Sequence, residues 1–173
     1  MRGIVSRVSQ RICILRLLKR VFVDTSVLLR CYYAFVLPIL EYCSPLWGSA
    51  AECHLQLLER QVYSVARLCP AQTFWSLCHR HHVAALSMLY KVNSDSNHCL
   101  FSELPSASIR VRHTRAAAAA YPLECEVSRF RTSQFARCFL PAPATVWNGI
   151  PYTVFDTRTL DGFKGAVNHW VLP

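Results

Sequence analysis

Residues 49–69, SAAECHLQLLERQVYSVARLC, contain the clearest fold signal in the sequence. Their apolar side chains recur at steps of three and four, the spacing of one face of an α-helix, at Leu55, Leu58, Val62, Val65 and Leu68. Ser49 and Glu52 have the S-x-x-E spacing of a capping box, and Cys69-Pro70 follows the last turn. The stretch therefore predicts an amphipathic helix that begins near Ser49 and ends at Cys69-Pro70.

Three other segments also have helical patterns. The first has an apolar stripe at Ile4, Val8, Ile12, Leu15, Leu18 and Phe22, although Arg11 falls within that face. The second, Ser26 to Leu37, is apolar nearly all round and predicts a buried helix that ends at Pro38. The third runs from Phe74 to Val92. The predicted fold class is therefore mainly α.

The helical pattern dissolves after Val92. Residues 93–109 include NSDSNHC and LPSAS, polar stretches typical of a linker. Residues 110–173 are rich in arginine at first and are then punctuated by prolines, which favours short strands or irregular structure over long helices. We therefore predict a helical segment over 1–92, a linker over 93–109 and a small C-terminal unit over 110–173.

Composition indicates a folded, basic protein. Of the 173 residues, 53% are hydrophobic and 17% are charged, which is enough apolar material for a core, and the net charge is +9. Six cations precede the first acidic residue, Asp24: Arg2, Arg7, Arg11, Arg16, Lys19 and Arg20. Because the planar guanidinium suits phosphate, this pattern favours a nucleic-acid partner.

The cysteines and the apolar runs predict an intracellular protein, in the cytoplasm or nucleus, with no membrane partner. The 9 cysteines are an odd number and no N-x-Ser/Thr site is present, which argues against a secreted disulfide framework. The longest apolar run, Val27 to Leu40, is interrupted by Arg30 and Pro38 and is too short to cross a bilayer.

No catalytic centre or cofactor site is predicted. The 5 glycines form neither a G-x-S-x-G elbow nor a phosphate-binding loop, and the acids are too scattered for a two-metal site. Val21-Phe22-Val23-Asp24-Thr25 resembles a polymerase aspartate turn, but the adjacent second carboxylate is missing. The chain is therefore not expected to be an enzyme as it stands.

Two clusters leave alternatives open. CHRHH supplies the zinc-ligand types Cys78, His79, His81 and His82, but no C-x2-C pair accompanies them, so we predict no metal site. A zinc module built on Cys69, Cys78, His81 and His82 remains the alternative. The stretch SRFRTSQFARCFLP, residues 128–141, interleaves arginines and phenylalanines, a mixture that either stacks on nucleic-acid bases or packs a terminal segment onto a core.

Several blocks, in order along the chain, resemble one protein family. The first is YYAFVLPILEYCSPLWGSA, with the matching residues Tyr33, Pro38, Glu41, Tyr42, Trp47 and Gly48. The helix LQLLERQVYSVARL and the segment MLYKV follow. The last block is FLPAPATVWNGIPYTVFDTRTLDGFKGAVNHWV, with Phe139, Pro141, Trp147, Asn148, Pro151, Phe163 and Lys164. Together they resemble the C-terminal part of the polyprotein of jockey-like non-LTR (LINE-type) retrotransposons, and Gly149-Ile150 is a small departure from that family's pattern.

The resemblance implies a specific, non-catalytic role. Proteins of this family combine an apurinic-type endonuclease with a reverse transcriptase, an RNA-directed DNA polymerase, and the matching region is thumb-like and post-thumb. The catalytic aspartates of the palm have no counterpart here. The implied partners are RNA or DNA and the missing palm and fingers of the parent polymerase. The alternative is a structural remnant of a truncated retroelement that folds poorly alone.

The candidate contacts to nucleic acid are arginines. Their charges would neutralise phosphates, so we expect salt-sensitive binding. They are Arg7, Arg11, Arg16, Arg20, Arg60, Arg67, Arg110, Arg112 and Arg115.

Overall fold

The computed structural model describes residues 2–47, 50–70, 74–94, 125, 127, 131–138, 141–157 and 159–170. These residues form helices and turns without a strand, so the fold is mainly α, as predicted. The chain divides into two compact units, Met1–His81 and His82–Pro173. The predicted linker over 93–109 lies, from residue 95 onward, outside the described residues.

The first unit is a set of helices around an aliphatic core. They are α1 (Arg2–Arg20), α2 (Thr25–Cys31), α3 (Leu37–Glu41), α4 (Ser44–Trp47), α5 (Glu52–Ala66) and the first turn of α6 (Leu77–Ser94). Val8, Ile12 and Leu15 of α1 are buried together with Leu58 and Val62 of α5. The apolar periodicity of these two helices therefore identified the buried faces correctly.

Phe22 was wrongly assigned to the buried stripe of α1. It follows the helix with a φ of 59° and is 97% exposed. The N–H of Val23 donates to Leu18 O (3.3 Å) and that of Phe22 donates to Lys19 O (3.3 Å), the two hydrogen bonds of a Schellman cap. This cap turns the chain so that Val23, rather than Phe22, packs with Leu18 against the core.

The helix predicted to end at Pro38 continues past it. A π-helical turn, Tyr32–Val36, joins α2 to α3, and the N–H of Leu37 donates to the carbonyl of Tyr32, five residues earlier. Pro38 then lies in the first turn of α3, where a missing N–H costs no helical hydrogen bond. The wider turn is the physical reason that the proline does not end the helix.

The predicted capping box of α5 lies partly outside the described residues, and the structure places the N-cap after the predicted position. Ala51 is the N-cap residue and contributes no side-chain hydrogen bond, while Ser49 lies outside the described residues. Glu52 is instead the first residue of the helix, where a carboxylate interacts favourably with the helix dipole. At the other end the helix stops before Cys69-Pro70, as predicted, and the N–H of Cys69 donates to Val65 O (3.2 Å).

Glu59 of α5 fixes the start of α6. Its Oε2 accepts a hydrogen bond from the N–H of Leu77 (2.8 Å), and the N–H of Cys78 also donates to this carboxylate. Burial raises the pKa of Glu59 above its ordinary value, although both hydrogen bonds oppose that shift. Helix α6 therefore begins at Leu77 rather than at the predicted Phe74.

The core of the second unit combines aromatic rings with aliphatic side chains. The other described helices of this unit are α7 (Ser133–Ala136), α8 (Pro141–Trp147), a 3-10 turn (Tyr152–Asp156) and α9 (Leu160–His169). Trp147 and Phe163 are buried, and Tyr90 of α6 stacks on Phe163 with ring centroids 4.4 Å apart. Of the short strands or irregular structure expected over 110–173, no strand occurs in the described part, which forms short helices and turns. Pro141 and Pro143 lie in the first turn of α8, where proline is tolerated.

No helix within the described ranges is both long enough and apolar enough to cross a lipid bilayer.

Candidate nucleic-acid interface

The four candidate arginines of α1 do not share one face. Because each residue turns an α-helix by about 100°, Arg7 and Arg11 lie about 40° apart, as do Arg16 and Arg20. Arg11 and Arg16 are about 140° apart by the same geometry. The buried stripe of Val8 and Ile12 runs between the two pairs. Each pair therefore has different neighbours.

The second pair lies beside α5. Arg16 Nη2 donates to the hydroxyl of Ser64 (2.5 Å), and the hydroxyl of Ser9 donates to Gln61 Oε1 (3.3 Å). Ser64 is buried, and its hydroxyl accepts this hydrogen bond from the guanidinium of α1. These bonds fix which edge of α1 faces α5.

Two further candidate arginines flank Ser64 along α5. Arg60 precedes Ser64 by four residues and Arg67 follows it by three, the spacings that place side chains on one side of a helix. The Arg16–Ser64 bond therefore brings cations of α1 and α5 to a common edge. We name this set the basic cluster: Arg16, Arg20, Arg60 and Arg67.

The charge of the basic cluster is not neutralised by the described carboxylates. All four arginines are exposed, and none forms a salt bridge with a carboxylate of the described residues. Glu41 pairs with Arg80, and Glu59 is engaged at the start of α6. The hydroxyl of Ser26 donates to Asp24 (2.5 Å), which lowers the pKa of that carboxyl. The described carboxylates therefore leave the charge of the basic cluster available to an external anion.

The flank of α1 that carries Arg7 and Arg11 borders a mostly apolar cavity. Arg11 borders a cavity of about 240 Å³ whose other walls are apolar or weakly polar: Ile14, Leu15, Cys31, Phe35 and Val36. Both arginines are exposed. The remaining three candidates, Arg110, Arg112 and Arg115, lie outside the described residues.

Two residues of the first motif block, Glu41 and Trp47, form contacts within the first unit. Glu41 forms an ion pair with Arg80, and Trp47 Nε1 donates to the carbonyl of Tyr42 (2.7 Å). The ring of His81 meets Trp47 edge-on at 4.7 Å, and His81 Nε2 lies 3.0 Å from Leu40 O. These contacts join the α3–α4 turn to the start of α6.

The remaining motif residues of that block are Tyr33, Pro38, Tyr42 and Gly48. Tyr33 and Tyr42 expose their side chains, and Pro38 occupies the first turn of α3. Gly48 lies outside the described residues. The partner of Glu41 could not be found from spacing, because Arg80 follows it by 39 residues.

In the last motif block, the side chain of Asn148 forms two hydrogen bonds to a distant residue. Its Oδ1 accepts from the N–H of Cys125 (2.9 Å) and its Nδ2 donates to Cys125 O (2.9 Å), so one side chain satisfies both backbone groups of a distant residue. The preceding residue, Trp147, is buried against Phe155 and Phe163. The W-N pair therefore places one side chain in the core and uses the other to hold a second segment.

Three more residues of this block are described. Pro141 is buried at the start of α8, and Pro151 precedes the 3-10 turn, where its carbonyl accepts from the N–H of Val154 (3.1 Å). Lys164 lies 3.9 Å from the exposed Asp161, which makes a weak surface pair. Phe139 lies outside the described residues.

The CHRHH residues are distributed along the first turns of α6 instead of converging. His79 stacks on Trp75 (4.5 Å, 17°), and His81 packs against Trp47. Burial raises the pKa of Cys69 and is also the first cause of the raised pKa of Cys78. Within the part of the chain that the structure describes, no three His, Cys, Asp or Glu side chains come close enough to hold a metal ion.

The arginine–phenylalanine stretch is only partly described. Thr132 caps α7 by accepting from the N–H of Phe135 (3.3 Å), and Phe135, Arg131 and Arg137 are exposed. This geometry is compatible with either of its two sequence-based interpretations.

Sequence reasoning missed two residues of the basic cluster's surroundings. Ser64 gave no signal, because nothing in one sequence indicates which hydroxyl a distant arginine will reach. Tyr63 did give one: it lies three residues after Arg60 and four before Arg67, on the same side of α5, and it is 60% exposed. The helical spacing alone could have placed it beside the two arginines.

Comparisons with known proteins returned no relatives: no protein-family model, no curated protein and no solved structure matches the chain.

Proposed function

We propose that the first unit binds the sugar-phosphate backbone of RNA or DNA through the basic cluster, as a non-catalytic C-terminal part of a non-LTR retrotransposon reverse transcriptase. The observation that supports it is the Arg16–Ser64 hydrogen bond, which brings cations of α1 and α5 to one edge. No described carboxylate neutralises them. The assignment to this kind of polymerase rests on the motif resemblance.

The chemistry of the cluster suits backbone phosphates. A guanidinium carries five N–H donors in a planar fork, so Arg16 keeps donors for a phosphate after bonding Ser64. Arg20, Arg60 and Arg67 form no ion pair with a described carboxylate, so no such pair competes with a phosphate for their donors. Contacts of this kind position a nucleic acid without reading its sequence, which is what a tail that supports a polymerase domain requires.

The proposal is tested by titrating RNA and DNA oligonucleotides with the full chain between 50 and 200 mM salt. Each lost phosphate contact should reduce the slope of log affinity against log salt by about 0.7 for single strands and about 0.9 for duplex DNA. We expect the double variant Arg60→Gln/Arg67→Gln to show a reduction of about 1.4 to 1.8 in that slope on the same basis.

A matched control removes the same charge elsewhere. Arg30 and Lys91 are exposed cations outside both the basic cluster and the arginine–phenylalanine stretch, so Arg30→Gln/Lys91→Gln lowers the net charge equally without touching either. If both double variants change the slope equally, binding follows net charge alone and the proposal is wrong. Absence of binding by the unaltered chain at low salt also contradicts it.

A second candidate is a structural remnant that folds poorly alone. The observation in its favour is the number of large apolar side chains left exposed in the first unit, including Tyr42 (78%), Val21 (70%) and Leu46 (69%). Exposed apolar surface of this kind often marks a face that another domain should cover. Circular dichroism separates the two: a remnant should show helix content but no cooperative thermal transition.

A further inference from the structure

Tyr63 displays an aromatic ring between two arginines along the axis of α5, at one edge of the sector that carries them. On α5, Arg60, Tyr63 and Arg67 fall within a sector of about 60°, given the rotation of about 100° per residue. The buried residues Val62 and Val65 lie on the opposite side of the same helix. The ring is therefore directed away from the core of the unit.

The position of Tyr63 is not explained by packing. Its side chain is 60% exposed, and no other ring among the described residues contacts it. Tyr32, by contrast, is buried in the same unit, and desolvation raises its pKa to about 12. The unit thus buries one tyrosine in its core and leaves another on the surface between Arg60 and Arg67, which form no ion pair with a described carboxylate.

The spacing of the two arginines leaves room for a base over the ring. Arg60 and Arg67 are seven residues apart, a rise of about 10 Å along the helix axis. Tyr63 lies between them. Phosphates bound by the two guanidiniums would therefore lie on either side of a base that stacks on the ring, and such stacking tolerates any base because every base has a π-face.

We propose that Tyr63 is a base-stacking residue and that the basic cluster therefore binds single-stranded nucleic acid in preference to a duplex. This inference rests on the proposed function and adds the substrate class. In a duplex the base faces are occupied by neighbouring bases and only the phosphates are accessible, whereas an unpaired strand can offer a base to the ring.

The test compares two oligonucleotides with identical phosphates: an oligothymidylate, and the same length of strand with abasic positions in its central part. Both are titrated with the full chain and with Tyr63→Leu. Stacking is worth about 1–3 kcal/mol per base, so Tyr63→Leu should lose about 5- to 150-fold in affinity for oligothymidylate. Its affinity for the abasic strand should be unchanged.

Two further variants control for the ring and for surface hydrophobicity. Tyr63→Phe keeps the aromatic face and should bind oligothymidylate as the unaltered chain does. Tyr42→Leu removes another exposed tyrosine ring of the same unit, one that does not lie on α5, and should also leave binding unchanged. A duplex of the same length should bind more weakly to the unaltered chain than oligothymidylate does.

The outcomes separate this inference from the function on which it rests. If the unaltered chain binds all three probes but Tyr63→Leu matches it on each, phosphate binding stands and stacking by Tyr63 is overturned. A duplex bound as tightly as the single strand likewise overturns the preference. If no probe binds even at low salt, the proposed function itself fails, and the inference fails with it.

Discussion

The two units obtain their cores by different means. The first buries aliphatic side chains spread over α1, α2, α3 and α5, such as Val8, Leu28 and Leu58. The second packs the rings of Trp147 and Phe163 among aliphatic side chains such as Leu86 and Val167, and adds the paired hydrogen bonds of Asn148. Because a large ring buries more apolar area than an aliphatic side chain, Trp147 and Phe163 should each contribute more to stability than any one aliphatic residue of the first core.

The motif residues of the two units also differ in where they lie. The motif residues of the first unit act at its periphery, through the Glu41–Arg80 pair and the bond from Trp47 to Tyr42 O. Those of the second unit include its core, since Trp147 and Phe163 are both fully buried. Substitutions of motif residues should therefore affect the second unit more than the first.

The largest effect is expected from Trp147→Ala. The ring is 1% exposed and contacts Phe155 and Phe163, so its removal should cost about 3–5 kcal/mol of unfolding free energy. Hydrogen exchange followed by mass spectrometry should show lost protection in α8 and α9, with α1 and α5 unchanged. The control is Trp75→Ala in the first unit, where the half-exposed ring stacks only on His79 among the described rings and its loss should cost no more than about 1.5 kcal/mol. Equal loss of protection in both units would contradict the division of the chain.

A smaller effect is expected from Asn148→Ala. It removes two hydrogen bonds to Cys125, each worth about 0.5–1.5 kcal/mol, so we expect a loss of about 1–3 kcal/mol, measured by urea unfolding. Gln134→Ala, which removes an exposed amide from the same unit, is the matched control. If the two variants have the same stability, the Asn148 bonds do not hold the segment at Cys125.

The smallest effect is a gain, and it concerns the first unit. Phe22 has a left-handed backbone and a 97% exposed ring, so Phe22→Gly should relieve strain and increase the unfolding free energy by about 0.5–1 kcal/mol. Phe22→Ala, which shortens the side chain but keeps the strained backbone, should change it little. A loss of stability in the glycine variant would show that the ring is covered in solution.

The sequence was sufficient where the fold depends on periodicity. The stripe of Leu58, Val62 and Val65 marked the buried face of α5, because apolar burial has the period of the helix itself. The four arginines of the basic cluster are among the nine candidates that the sequence suggests, but the sequence does not show which of the nine lie together. That grouping depends on the angle between two helices, which the Arg16–Ser64 bond reports and one sequence does not.

The predictions from the sequence were wrong where the local backbone conformation decides which residue is buried or where a helix begins. Phe22 continues the apolar spacing of α1, yet the Schellman cap places Val23 inward in its place. Ser49 and Glu52 have capping-box spacing, yet the helix begins after Ala51. Contacts such as Asn148 with Cys125, 23 residues apart, carry no signal in a single sequence at all.

The π turn at Tyr32–Val36 makes the length of this segment as important as its composition. Such a turn accommodates one residue more than an α-helix would over the same path. A single-residue deletion there would convert the π turn to an α turn over the same path. The apolar stripes of α2 and α3 would stay in phase, but Pro38 would return to a helix interior, where proline costs about 3 kcal/mol. A related sequence that lacks the extra residue would therefore be expected to have another residue type in place of Pro38.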